Sequence, residues 1–296
     1  MAFKLREVSL PVLPPGSPDL RILHFSDLHL TPSRRREIRD IQSWAELKPD
    51  LVISTGDFLA HKDAVGTVIN ALGDLLRVPG LYVFGSNDYY EPRFKNPLRF
   101  FRKDDGTRKL GNPLPFKDLD SRLQKFGWKN LNSSKVFLKV RGITIEARGT
   151  DDAHLNRDNY SLVSGTRSEE AQLSIGITHA PYKRILDAMS QDNVDLIFAG
   201  HTHGGQIRIP WIGGSRSLTT NCDLPNWRSR GLTRFGSEPW LHISAGMGFS
   251  PFAPIRIFCP TEASLVRLTS FYFEDFSSNL KISEQTSGLQ SKSKNQ

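Results

Sequence analysis

Seven side chains of the kinds that bind divalent metal ions lie between positions 27 and 203: Asp27, His29, Asp57, Asn87, His179, His201 and His203. They arrive in short motifs: "SDLH", "TGD", "GSND", "THAP" and "GHTHGG". Carboxylate, imidazole and amide oxygen form a mixed, borderline ligand set. It suits Mn, Fe or Zn better than a thiolate set would, and better than an all-oxygen calcium site. Seven groups exceed what one cation needs from protein, whereas two divalent metal ions sharing a bridging carboxylate would use them well. A pair of cations can clamp both the attacking and the leaving oxygen of a displacement at phosphorus. In "DLH" and "HTH" two ligands stand at i and i+2, and extended backbone would send both from the same face.

Each motif follows a short apolar run. The strands expected from these runs are Arg21 to Phe25, Leu51 to Thr55, Leu81 to Gly85, Gln172 to His179 and Asp195 to His201. Near-continuous apolar character suits strands covered on both faces. Ligands of open α/β sheets gather at the carboxyl ends of strands, so the five motifs are expected to converge. Helical stretches separate the runs. One carries a stripe at Ile38, Ile41, Trp44 and Leu47, and "DAVGTVINALGDLLR" and "YKRILDAMSQD" are similar. "KVFLKVRGITIEARG" reads as a hairpin turning at Arg141-Gly142, and "LHISAGMG" and "IRIFCPTEASLVRLTS" read as late strands.

The 296 residues, 38% hydrophobic and 24% charged, have the composition of a soluble globular protein. No apolar run approaches the ~18–20 residues that span a bilayer. The N-terminus carries no apolar core of a secretory signal, which points to a cytoplasmic enzyme. Cys222 and Cys259 have no metal-site spacing and are expected to be free thiols. The net charge of +8 favours phosphate-bearing partners without choosing among them. Residues 1–275 are expected to form one domain and the polar stretch 276–296 a disordered tail. Most of the positive charge falls in residues 92–130, which hold eleven Lys or Arg against four Asp, together with Phe94, Phe100, Phe101, Phe116, Phe126 and Trp128. This stretch reads as an insertion that could cap the cleft, with Phe100 and Phe101 as anchors for peripheral contact with the inner face of a membrane.

The series D-x-H, G-D, G-N-H/D, H, G-H-x-H resembles that of the calcineurin-like metallophosphoesterases. Here it stands as "DLH" at 27–29, "GD" at 56–57, "GSND" at 85–88, His179 and "GHTH" at 200–203. The resemblance covers roughly residues 20 to 268. "GGQIRIP" and "SAGMGFSPFAPIR" are similar to the branch that includes cell-envelope and lipid-linked phosphoesterases. It implies an α/β fold, a four-layer αββα sandwich with two metals between the sheets. It also implies that Asp27, His29 and His203 hold one metal, that Asn87, His179 and His201 hold the other, and that Asp57 bridges them. A hydroxide shared by the two metals would attack a phosphodiester, a pyrophosphate or a phosphomonoester. The substrate would be a phosphate-containing small molecule or lipid, such as a lipid-linked or sugar-nucleotide compound.

One motif departs from the family pattern. The third usually reads Gly-Asn-His, and its histidine protonates the leaving group; here the text is "GSND". Without a gap, Ser86 falls on the ligand Asn and Asn87 on the His. Shifted by one, Asn87 is the ligand and Asp88 takes the position of the acid. The shift is preferred because an amide oxygen is a better ligand than a serine hydroxyl. Asn87 and Asp88 are therefore the candidate catalytic residues, Asp88 acting as acid only if burial raises its pKa. His61 and His154 are the other imidazoles near the motifs and could substitute as acid; the run Arg34 to Arg36 reads as a solvated face that could touch substrate, and Arg228 or Arg230 is a candidate phosphate contact. Two other functions fit less of the sequence. A nuclease would use the positive charge, but no nucleic-acid motif accompanies it. A catalytically impaired metal-binding scaffold would explain the missing histidine but not seven retained ligands.

Overall fold

The computed structural model describes residues 3–93, 110–211, 214–234, 239–249 and 256–271. Two six-stranded sheets face one another. The first has the order β1-β14-β2-β3-β4-β5, from Lys4–Leu13, Glu262–Ser270, Leu20–Phe25, Leu51–Ser54, Gly80–Tyr82 and Lys129–Asn130. The second has the order β12-β13-β9-β8-β7-β6, from Gly231–Arg234, Trp240–Ile243, Leu196–Ala199, Leu173–Thr178, Ile143–Gly149 and Ser134–Val140. A separate hairpin pairs β10 (Arg208–Trp211) with β11 (Gly214–Ser217).

The apolar runs explain the layers. Alternate residues of a strand point to opposite faces, so a strand buried on both sides must be apolar throughout. Along β2, Leu20 and Ile22 enter the core between the sheets, while Leu23 and Phe25 enter the core under the helices. Along β9, Leu196 and Phe198 face inward, and Ile197 and Ala199 pack under the outer helix of the second sheet. The first sheet is covered by α1 (Arg35–Gln42), α2 (Val65–Leu72) and α4 (Phe116–Lys125), through Ile41, Val68, Leu72, Leu119 and Leu123. The second is covered by α5 (Lys183–Gln191), through Ile185, Leu186 and Met189. These four layers form an αββα sandwich.

The boundaries differ from the sequence expectation in several places. The stripe from Ile38 to Leu47 is helical only to Gln42; Ser43–Leu47 tightens into a 3₁₀ turn, and Pro49 ends it. The last strand begins at Glu262, because residues 256–261 run as loop with Phe258 at φ 50°. Lys4–Leu13, which carries no clear alternation, pairs parallel with β14. Of the basic stretch 92–130, residues 94–109 lie outside the described residues. Residues 116–130 supply α4 and β5, and Trp128 is buried in the helix-side core. The stretch 276–296 also lies outside the described residues. Cys222 and Cys259 form no disulfide. Among the described residues no helix is long and apolar enough to cross a membrane.

Candidate metal centre

Strands β2, β3 and β4 run parallel in the first sheet, and β8 and β9 run parallel in the second. Their carboxyl ends deliver the five motifs to one rim, where α3 (Ser86–Tyr89) carries Asn87. The connections are tight. Asp27, His29, Asp57, His201 and His203 all have positive φ, between 44° and 67°. Non-glycine residues adopt this conformation at a cost of order 1–2 kcal/mol each, and such strain concentrates at functional sites. The extended backbone expected for "DLH" and "HTH" is therefore not what presents the ligands; left-handed turns do. Gly85 is required for a different reason: a Cβ there would lie 2.5 Å from His179 Cε1.

Six of the seven side chains are linked by short polar contacts, and His201 completes the group. Asp57 Oδ2 lies 3.6 Å from His29 Nε2 and 3.6 Å from His179 Nε2. Asp27 Oδ1 lies 3.6 Å from His203 Nε2 and 3.9 Å from His29 Nε2. The rings of His29 and His203 stack at 5.1 Å. Asn87 donates its backbone N–H to Asp57 Oδ1 and its side-chain amide to Asp57 Oδ2, both at 2.7 Å. His201 Nδ1 lies 3.3 Å from His179 Nε2. Two overlapping groups of donor atoms, Asp27 with His29 and His203, and Asp27 with Asp57 and His179, each lie mutually within 4.8 Å.

These residues fit a pair of divalent cations. Asp27 Oδ1 and both ring nitrogens of His29 are buried without a hydrogen-bond partner among the described residues. Buried polar atoms are normally paired, so a cluster of orphans points to something that binds there. On the other side the imidazoles are held from behind. The Thr55 carbonyl can only accept, so His179 Nδ1 donates to it at 2.6 Å and Nε2 is turned towards the cluster. His201 Nε2 lies 3.2 Å from the Asn221 carbonyl and 3.1 Å from its side-chain amide nitrogen, and Nδ1 faces His179. A carbonyl behind an imidazole is the usual support of a metal-ligating histidine.

The charges reinforce this geometry. Burial lowers the pKa of His179, but the carboxylates of Asp57, Asp152 and Asp27 outweigh it and push it up to about 9. Burial pulls His29 down to about 4 against the opposing effect of Asp57, and it also lowers His201.

Asp88 is buried against the backbone of the turn that carries Asp57. Its Oδ2 accepts the N–H groups of Asp57 and Gly85 at 2.7 and 2.9 Å, and its Oδ1 those of Phe58 and Leu59 at 2.8 and 3.1 Å. Four backbone donors hold both oxygens, so the side chain braces the turn after β3, while burial and the neighbouring Asp57 charge push its pKa up to about 8. His154, which sequence position alone made a loop residue, is buried with its ring 4.4 Å from that of His201, and its Nδ1 meets the Tyr182 hydroxyl at 3.1 Å. His61 stays half-exposed and bonds within its own turn, to the Asp63 N–H. Arg34 is partly buried over the Phe249 ring. Arg228 stacks on the exposed Trp227. Arg256, which no motif singled out, is buried with Nη2 3.4 Å from His203 Nδ1.

The family model of calcineurin-like phosphoesterases matches residues 20–205, and so includes all seven candidate ligands. The chain belongs to this family. It is a phosphate-ester hydrolase, and its relatives agree. It is 28% identical to the uncharacterized protein YpbG of Bacillus subtilis over 77% of this chain and 81% of that one. It is 30% identical to the uncharacterized metallophosphoesterase YkoQ of the same organism over 66% of this chain and 65% of the relative. Phosphodiesterase YaeI of Escherichia coli is 24% identical over 90% of this chain and 88% of its own. The family works with a dinuclear divalent metal centre, and this phosphoesterase carries candidate ligand residues for one at the rim between its sheets.

Proposed function

We propose that this phosphoesterase hydrolyses a phosphodiester or pyrophosphate bond of a small or lipid-linked substrate. Asp27, His29 and His203 would hold one divalent cation, and Asn87, His179 and His201 the other, with Asp57 between them. The observation that carries the reading is the convergence of these seven side chains, with Asp27 Oδ1 and both nitrogens of His29 left unpaired in a buried site. When bound, divalent cations supply charge neutralisation of the phosphoryl oxygens and bring the pKa of water from 15.7 to about 7.

The chain's own residues prepare the site. Asp57 presents one oxygen to both His29 and His179, and Asn87 fixes its rotamer through two hydrogen bonds. Asp88 holds the backbone that carries Asp57 and acts as a positioning residue. The Thr55 carbonyl fixes His179 Nδ1 as a donor, and Asn221 holds the His201 ring from behind. Thr202, His203, Gly205, Gln206, Thr219 and Asn221 line a small cavity beside the cluster. A lipid-linked substrate is supported by exposed Ile209, Leu218, Trp227, Ile257 and Phe258 on and around the β10–β11 hairpin.

A panel of phosphomonoesters, phosphodiesters and pyrophosphates with added manganese tests the reading, repeated on Asp57→Asn with metal analysis of both proteins. Turnover of a diester or pyrophosphate by the parent chain, lost together with bound metal in the variant, is the expected result. An Asp57→Asn protein that keeps its metal and its rate overturns it.

A further inference from the structure

The β10–β11 hairpin carries its polarity inside out. Side chains alternate between the two faces of a strand, and where one face is wet the apolar ones turn inward. Here the charged residue turns inward. Arg208 is 6% exposed and spends its guanidinium on Ser215 Oγ, Ser229 Oγ and Gly204 O, at 2.6 to 2.8 Å. Its neighbour Ile209 is 50% exposed and stands opposite the exposed Arg216 of β11.

The apolar exposure is gathered here. Nine large apolar side chains are exposed among the described residues, and five of them, Ile209, Leu218, Trp227, Ile257 and Phe258, lie on this hairpin or on segments bonded to it. Arg208 N–H donates to Ile257 O at 3.0 Å, and Leu218 N–H donates to Ile207 O at 3.1 Å. The Asn226 amide donates to Leu218 O at 2.8 Å, which ties the turn carrying Trp227 to the end of the hairpin. Phe258 stands at φ 50°, a costly conformation for an aromatic residue, with its side chain 64% exposed. Exposed apolar groups gathered in this way mark a contact with something outside the chain.

The charges around the patch choose the partner. Residues 206–234 hold five Arg and a single acid, Asp223. Arg216 and Arg234 are exposed, and Arg228 lies 4.9 Å over the ring of Trp227. Apolar side chains among arginines, with a Trp at the border, are the composition that seats a protein in the headgroup layer of an anionic bilayer. The patch also adjoins the metal centre: Gln206, which lines the cavity beside His203, accepts from Ile257 N–H at 2.9 Å.

We propose that this face docks the protein on an anionic membrane surface, with Ile209, Trp227, Ile257 and Phe258 entering the interface and Arg216 and Arg234 meeting lipid phosphates. Docking brings the rim of the metal centre against the headgroups. It needs no turnover, so it stands or falls apart from the hydrolytic reading of the cluster.

The test is cosedimentation of the manganese-loaded full chain with vesicles of phosphatidylcholine alone and of equimolar phosphatidylcholine and phosphatidylglycerol. Binding should be about tenfold tighter to the mixed vesicles and should fall to the level of the neutral ones at high salt. Trp227→Ser combined with Phe258→Ser should weaken binding to both vesicles about 30-fold or more. Arg216→Gln combined with Arg234→Gln should remove most of the preference for the anionic vesicles and little of the binding to neutral ones. All four side chains are exposed, so metal content and urea midpoint should match the parent's in both double variants. Should the first of them fold less well, Phe258→Ser alone must still weaken binding about fivefold. Equal binding by the parent and both double variants overturns the proposal, as does a parent that binds neither vesicle. Loss confined to Phe100→Asp combined with Phe101→Asp would also overturn it and move the contact to the basic stretch 92–130.

Discussion

The two halves of the centre are built on opposite principles. On the Asp27 side, His29 has both ring nitrogens unpaired and Asp27 keeps one oxygen unpaired, in a fully buried setting. On the His179 side, the carbonyls of Thr55 and Asn221 orient both imidazoles from behind. The first half is shaped by what is to bind there; the second is shaped by the protein before anything binds. Asp57 joins them, reaching His29 and His179 from one oxygen at 3.6 Å.

The largest effect is expected where the halves meet. Asp57→Asn removes the charge that both share, and kcat/KM for the best substrate of the panel should fall about 1,000-fold or more. Metal content should drop from two ions per chain towards one or none. A variant that loses activity while keeping two ions would show that Asp57 serves chemistry on one half only.

Next in size is the brace behind that residue. Asp88→Ala leaves four backbone N–H groups of the turn without their acceptor, and the metal-free protein should lose about 3 kcal/mol or more in urea unfolding. Asp88→Asn, which retains one acceptor oxygen, should lose about half of that. Equal stability of both variants and the parent would mean that the turn holds itself. In that case Asp88 would return as a candidate for chemistry.

The halves should also separate in the absence of metal. His179→Ala removes a buried hydrogen bond to Thr55 O and should cost about 1–2 kcal/mol in EDTA. His29→Ala removes a ring with no hydrogen bonds, so it forfeits packing but relieves two orphaned nitrogens, and its cost should be smaller. With manganese present the order should narrow, because both variants then lose a ligand. Urea midpoints with and without EDTA measure this; a larger cost for His29 in EDTA would reverse the assignment of the two halves.

Much of this was legible before any coordinates. The ligand types, their order and their position after apolar runs sufficed to expect convergence, since strand-end placement follows from apolar continuity. Two things were not legible. The positive φ of Asp27, His29, Asp57, His201 and His203 leaves no trace in residue type, because a turn with a histidine in it reads like any other. Arg256 was invisible because its partner carbonyl belongs to a turn 8 residues away that gains meaning only when it docks on Asp27. The bracing contacts of Asp88 were not legible for a related reason. A carboxylate that binds backbone N–H groups 29 to 31 residues distant looks, in sequence, like one available for proton transfer.

The smallest effect concerns the seam beneath the centre. His24 of β2 and His242 of β13 join the two sheets through Nδ1 to Nδ1 at 2.8 Å, and His24 Nε2 meets Thr55 Oγ1 at 3.1 Å. One Nδ1 must donate and the other accept, so protonation of both rings breaks the contact, and burial opposes even the first charge. Burial lowers His24 well below its ordinary value, further lowered by His242, and burial brings His242 to about 3. A histidine whose folded pKa is depressed binds fewer protons folded than unfolded in the interval between the two values. Its contribution is therefore complete above about pH 6.5 and is lost as the pH falls towards 3. Each proton taken up on unfolding should add about 1.4 kcal/mol of destabilisation per pH unit below 6.5. His242→Gln retains a hydrogen-bonding amide without the titration, and its stability between pH 6.5 and 4.5 should decline less steeply than the parent's. Measured in EDTA, to keep the ligand histidines from tracking metal loss, equal slopes for the two proteins would show that the seam is not held by a neutral imidazole pair.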